Sequence, residues 1–203
     1  MTFKELFRCR DEAALRQSIA TTLSGHDLTQ GVWIFGYGSL VWNPEFCFAE
    51  SRVAWLEGFH RRLCVQSKVY RGTPDCPGLV LGLAPGGQCE GRVFRIAPQD
   101  LEAELLKVWE REMFDDSYVP AWIELKTEPG TVEALTFVVN QSNELYVPEL
   151  PLAQLASTVA SASGERGSCE EYLNNTVEAL KQHGLPDRYL ETVLGEVQRL
   201  RAR

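Results

Sequence analysis

The stretch VWIFGYGSLVWNPEF, residues 32–46, reads as a buried strand that breaks abruptly into Gly36-Tyr37-Gly38-Ser39-Leu40. Glycines directly after an apolar strand let the backbone turn sharply or approach a ligand closely, because they carry no Cβ and accept positive φ. From this point onward the chain reads as short strands. VWIFGY, RVAWLEG, RRLCVQS, GLVLGLA, CEGRVFRI, YVPAWIEL and TVEALTFVV are β-branched or aromatic-rich and separated by turn residues. Within LAPGGQCEG, residues 83–91, Pro85 and Gly86-Gly87 predict a hairpin turn. About six or seven strands with few helices among them predict a barrel or strongly curled sheet.

Residues 1–30 look like an appended helical extension, with a helix over DEAALRQSIATTLS (11–24) and a polar break after it, and residues 31–203 like a single domain. One helix interrupts the strands. PQDLEAELLKVWEREMF, from residue 98, has Asp100 as N-cap and apolar residues at 101, 105, 108 and 109 on one face. Glu112 falls next on that face, whereas Glu102, Glu104, Lys107 and Glu110 fall at its flanks or opposite. A carboxylate on an apolar face is costly to bury, so it calls for an explanation. The chain ends in two more helices, the first capped by Ser168 with Glu171 three residues on and stopped by Gly184.

Composition excludes several classes. Of the 203 residues, 44% are hydrophobic and 24% charged, the profile of a globular chain rather than of a disordered, collagenous or coiled-coil one. No apolar run approaches the roughly 20 residues that span a bilayer, and MTFKELFRCRDEAALRQ lacks the apolar stretch of a signal peptide, so the expectation is a cytoplasmic protein without a membrane partner. The net charge of −8 argues against nucleic acid. It is uneven: residues 31–100 carry seven basic and six acidic side chains, residues 101–203 nine and eighteen. The first segment therefore still offers Arg52, Arg61, Arg62, Arg71, Arg92 and Arg95 to a small anion. Cysteines at 9, 47, 64, 76, 89 and 169 form no CxxC pair and read as free thiols rather than metal ligands.

The glycine loop does not fit the common motifs. Val41 stands where a dinucleotide fingerprint needs its third glycine, and Ser39 has Tyr37 and Val41 where a nucleophile elbow needs glycines. With histidines only at 26, 60 and 183, a Ser-His-Asp triad has few candidates. What remains is a strand end presenting backbone N–H groups, an anion nest or oxyanion site, or a plain glycine-rich turn.

FGYGSLVW (35–42), RGTPDCPGLVLGL (71–83), GGQCEGRVFRI (86–96), REM (111–113) with Tyr118 beyond it, and GERGSCEEYLNNT (164–176) together resemble the ChaC-type glutathione-specific γ-glutamylcyclotransferases. The resemblance implies an α+β fold, the γ-glutamylcyclotransferase-like mixed β-barrel of about six or seven strands with flanking helices. It also implies release of 5-oxoproline and cysteinylglycine from glutathione, without metal or organic cofactor. It places the substrate loop on Tyr37, Gly38, Ser39 and Leu40, and substrate binding extends to Ile34, Phe35 and Gly36 before the loop and to Arg71 and Tyr118. The catalytic acid/base falls on Glu112. Other γ-glutamyl amides or amines as substrate, or a silent binding module, are the alternatives.

Overall fold

The computed structural model describes residues 11–202, so Cys9 lies outside the described residues. Five strands close into a barrel: β1 (Val32–Gly36), β2 (Glu50–Ser67), β3 (Gly78–Ile96), β4 (Tyr118–Thr127) and β5 (Thr131–Val139), in the order β1-β3-β2-β4-β5. Neighbours in that order run antiparallel. β5 closes the ring by lying parallel to β1 at Ile34↔Leu135 and to β3 at Leu83↔Val138. The barrel is therefore mixed, as expected, and the seven strand-like segments of the sequence make five strands, two of them of 18 and 19 residues. Two-residue strands β6 (Ser163–Gly164) and β7 (Gly167–Ser168) form a separate small hairpin.

The lower count has one cause. RVAWLEG and RRLCVQS are two halves of β2, and GLVLGLA and CEGRVFRI are two halves of β3. The expected hairpin at 83–91 is instead a bulge in the middle of β3. Glu57 pairs with Gln88 and Phe59 with Pro85, so Gly86 and Gly87, both at positive φ, stand opposite the single residue Gly58. A straight 19-residue strand would run about 60 Å; the bulge lets this long ribbon bend and twist around the barrel.

Helix α1 (Glu12–Leu23) belongs to the extension and α2 (Leu101–Glu112) follows β3. After the barrel come α3 (Leu152–Ser161), α4 (Cys169–Gln182) and α5 (Arg188–Arg201). Ser168 caps α4 through the N–H of Glu171, as its sequence requires. Asp100 precedes α2 but makes no capping bond with its side chain. Strand β1 is buried on both faces. Phe35 joins Leu81, Leu83 and Leu125 in the core shared with α3, α4 and α5, while Ile34 joins Phe94, Leu105, Trp109 and Phe137 in the core under α2. Leu15 of the extension is buried in this second core. Among the described residues, no helix is long and apolar enough to cross a membrane.

Candidate active site

Beyond Gly36 the chain turns through Tyr37 and Gly38 into a single 3₁₀ turn, Ser39–Val41. Neither glycine has positive φ; what each supplies is the missing Cβ. A Cβ on Gly36 would come within 2.8 Å of the Leu40 Cβ and 3.3 Å of Phe94. Gly36 is thus the point where the loop folds back onto its own strand. At Gly38, where φ is −129°, a Cβ would touch Leu81 and the Tyr172 hydroxyl at 3.5 Å. The missing side chain there leaves room beside Tyr172 rather than relieving backbone strain. N–H groups at the start of such a turn have no acceptor within it, so they face outward as donors.

The loop is fixed from both sides. Tyr37 donates its hydroxyl proton to the Phe137 carbonyl at 2.8 Å, and its own carbonyl accepts from Arg61 Nε at 2.9 Å. Ser39 Oγ accepts from Arg111 Nη2 at 2.7 Å. Arg111 also reaches the Asn43 carbonyl, pairs with Glu45 at 3.0 Å, and places Nε 3.3 Å from Glu112 Oε1. One guanidinium therefore ties the loop to the helix end that carries Glu112. The sequence reading passed over Arg111, although the REM triplet contained it.

Glu112 is the last residue of α2 and keeps 14% of its side chain exposed. Burial raises its carboxyl above the ordinary value of 4.5, partly opposed by the charge of Arg111. Three tyrosines share its surroundings. Burial first, and the Glu112 charge among the lesser causes, push the hydroxyls of Tyr37 and Tyr118 well above 10 and also raise that of Tyr172, so all three stay protonated donors. Tyr118 donates to the Leu81 carbonyl at 2.7 Å, and the Leu81 N–H donates to Tyr172 at 3.2 Å. These hydroxyls satisfy backbone of β3 two residues from its pairing with β5 at Leu83. Tyr172 was not singled out from the sequence, although it stands in the EEYLNN segment of the α4 block.

Tyr37, Gly38, Ser39, Leu40, Arg71, Glu112 and Tyr118 all line one cavity of about 370 Å³, a volume suited to a small peptide. Ile34, Phe35 and Gly36 do not line it; the first two are fully buried in β1. Of the six arginines offered to an anion, Arg71 alone lines the cavity. Its guanidinium is 3.3 Å from the Ser168 carbonyl and 3.6 Å from Glu171, and lies over the Tyr172 ring. Arg61 is spent on the chain itself, and Arg52 and Arg95 lie over Trp33 beside Glu50. Glu104, expected at a flank of its helix, is buried; it accepts from Lys107 and from the Cys47 N–H, and both bonds hold its carboxyl below the usual range. Among the described residues, no group of three or more His, Cys, Asp or Glu side chains is placed to hold a metal ion.

The closed mixed barrel with its flanking helices has the γ-glutamylcyclotransferase fold. The solved glutathione-specific enzyme from yeast superposes with a TM-score of 0.78 over 84% of this chain and 96% of that one, at 23% identity. The chain belongs to the ChaC-like family, whose model matches residues 32–200. The glutathione-specific gamma-glutamylcyclotransferase of Escherichia coli (strain K12) is 37% identical over 186 residues, covering 91% of this chain and 80% of that protein. Glutathione-specific gamma-glutamylcyclotransferase 1 of Danio rerio is 30% identical over 155 residues, covering 74% and 79%.

Proposed function

We propose that this protein is a lyase that cleaves glutathione into 5-oxoproline and cysteinylglycine by intramolecular aminoacyl transfer. The observation that carries the reading is the placement of Glu112, a carboxylate with a raised pKa, on the wall of the cavity lined by the 37–40 loop. The γ-glutamyl α-amine can reach its own γ-carbonyl and close a five-membered ring, so the protein supplies no nucleophile. The N–H donors of the loop stabilise the oxyanion as the new C–N bond forms. Glu112 accepts a proton from the attacking nitrogen and returns it to the cysteinyl nitrogen as the old C–N bond breaks. No water is consumed and the carboxylate is regenerated. Its raised pKa suits that exchange, because a carboxylate of higher proton affinity takes the proton from the attacking nitrogen more readily and holds it until the more basic leaving nitrogen accepts it. Among the described residues five cysteines are free, three of them buried, which suits a reducing cytoplasm, where glutathione is itself kept as the thiol.

Purified protein incubated with glutathione is expected to form 5-oxoproline, whereas Glu112→Gln, of nearly the same shape, is expected to lose at least about 10²-fold in turnover while still binding glutathione. A Gln variant with near-normal turnover would remove Glu112 from the chemistry. Equal rates on γ-glutamyl-alanine and glutathione would widen the substrate class to γ-glutamyl amides in general.

A further inference from the structure

Arg61 lies in β2 with 4% of its side chain exposed, and three acceptors surround its guanidinium. Nε donates to the Tyr37 carbonyl at 2.9 Å, Nη2 to the Glu90 carbonyl, and Nη1 to Asp187 Oδ2 at 2.7 Å. Asp187 is itself fixed, because its Oδ1 caps α5 through the Leu190 N–H at 3.0 Å. A guanidinium so deeply buried is costly unless every donor is used well, and apolar residues could fill the space as stably. What this one grips is the peptide between Tyr37 and Gly38.

That peptide is trans, so its C=O and N–H point in opposite directions from one rigid plane. Pinning the Tyr37 carbonyl onto Arg61 therefore aims the Gly38 N–H away from Arg61, and Gly38 lines the cavity. The tyrosine hydroxyl and Ser39 are anchored elsewhere, on Phe137 and Arg111, and neither contact sets the rotation of this peptide plane. We propose that Arg61 is a positioning residue: it aims the Gly38 N–H at the substrate γ-carbonyl oxygen, its plane set by the Tyr37 and Glu90 carbonyls, while Asp187 balances its buried charge. The proposal rests on the cyclotransferase reading, and adds to it a residue that does not touch substrate.

Two variants and a spectrum test it. Lysine at 61 retains the charge but its single ammonium cannot serve three acceptors in a plane. Arg61→Lys is expected to lower kcat by about 10²-fold, the scale of one lost oxyanion donor, with KM within a few-fold. It should also shift the Gly38 amide resonance in protein without substrate. Asp187→Asn keeps the helix cap and leaves both carbonyls on Arg61, so it should keep kcat within a few-fold even if it melts earlier. A folded Arg61→Lys with wild-type kcat and an unmoved Gly38 resonance would overturn the proposal, as would an Asp187→Asn loss equal to that of Arg61→Lys. If Arg61→Lys fails to fold, the wild-type Arg61 Nε–H decides: slow exchange with water supports the grip on Tyr37, and rapid exchange refutes it. Because the two spectral measurements need no turnover, absence of 5-oxoproline from the wild type would defeat the reaction and leave the geometry separately testable.

Discussion

Glu112 costs stability in order to be useful. Its carboxyl is raised above its unfolded value, so the folded state holds the proton more tightly. Stability is therefore fully present below about pH 4.5, the ordinary glutamate value, and is lost as the pH rises through the raised value. Glutamine does not titrate. Glu112→Gln is accordingly expected to gain stability relative to wild type as the pH climbs through that window, with the difference constant above it; paired melting curves across the range would show this. A lower melting temperature for the Gln variant at neutral pH would mean that the ion pair with Arg111 outweighs the burial. Arg111 is not orphaned by the change, because Ser39, Asn43 and Glu45 remain as its acceptors. The position of Glu112 was legible because 3.6-residue periodicity places it on the buried face of its helix. The companions Arg111, Arg61 and Tyr172 were not, since local spacing says nothing about which distant carbonyl or hydroxyl a side chain will meet.

Among the elements, helix α1 and the turn after it are packed onto α2 and β4. Ser18 accepts from the Trp109 indole at 3.1 Å, the Thr22 carbonyl accepts from Trp122 at 2.8 Å, and His26 stacks on Trp122 with ring centroids 3.9 Å apart. Helix α1 thus braces α2, whose last residue is Glu112. Leu15→Ala empties a buried position under this contact and is expected to cost about 2–5 kcal/mol by denaturant titration; a cost near zero would make α1 a loosely held helix. The β2–β3 ribbon is the element that sequence reading divided. Pro85-Gly86-Gly87 has the composition of a turn, and composition cannot tell a hairpin from a bulge when both need positive φ. The partner strand decides, by offering Gly58 at φ +83° opposite the two glycines. A Cβ on Gly58 would meet nothing within 4 Å, so the expected loss for Gly58→Ala, about 1–2 kcal/mol, comes from the left-handed backbone alone. A thermal melt unchanged from wild type would show that the bulge can reshape.

At the scale of the whole molecule, burial sorts the five thiols of the described residues. Cys47 and Cys76 are exposed, while Cys64, Cys89 and Cys169 are buried in the barrel or under α4. Burial raises the buried thiols, Cys89 and Cys169 to about 11. A thiol reagent at neutral pH should label Cys47 and Cys76 quickly, and the other three only at the rate of opening of the core, as peptide mapping by mass spectrometry would record. Rapid labelling of Cys169 in native protein would contradict the packing of α4 on β3. Sequence by itself determined what local physics encodes: the alternation and β-branching of the strands, the capped helices, a glycine loop after a buried strand, and a glutamate on an apolar face. Tertiary structure alone decided how many strands those segments make, because pairing along β2 and β3 turns a broken pattern into one continuous ribbon. It also decided the site. Closing the barrel brings residues 37–40, 71, 112, 118 and 172 to one cavity from separate elements, and burial there, a property of the assembled fold, sets the proton affinity of Glu112.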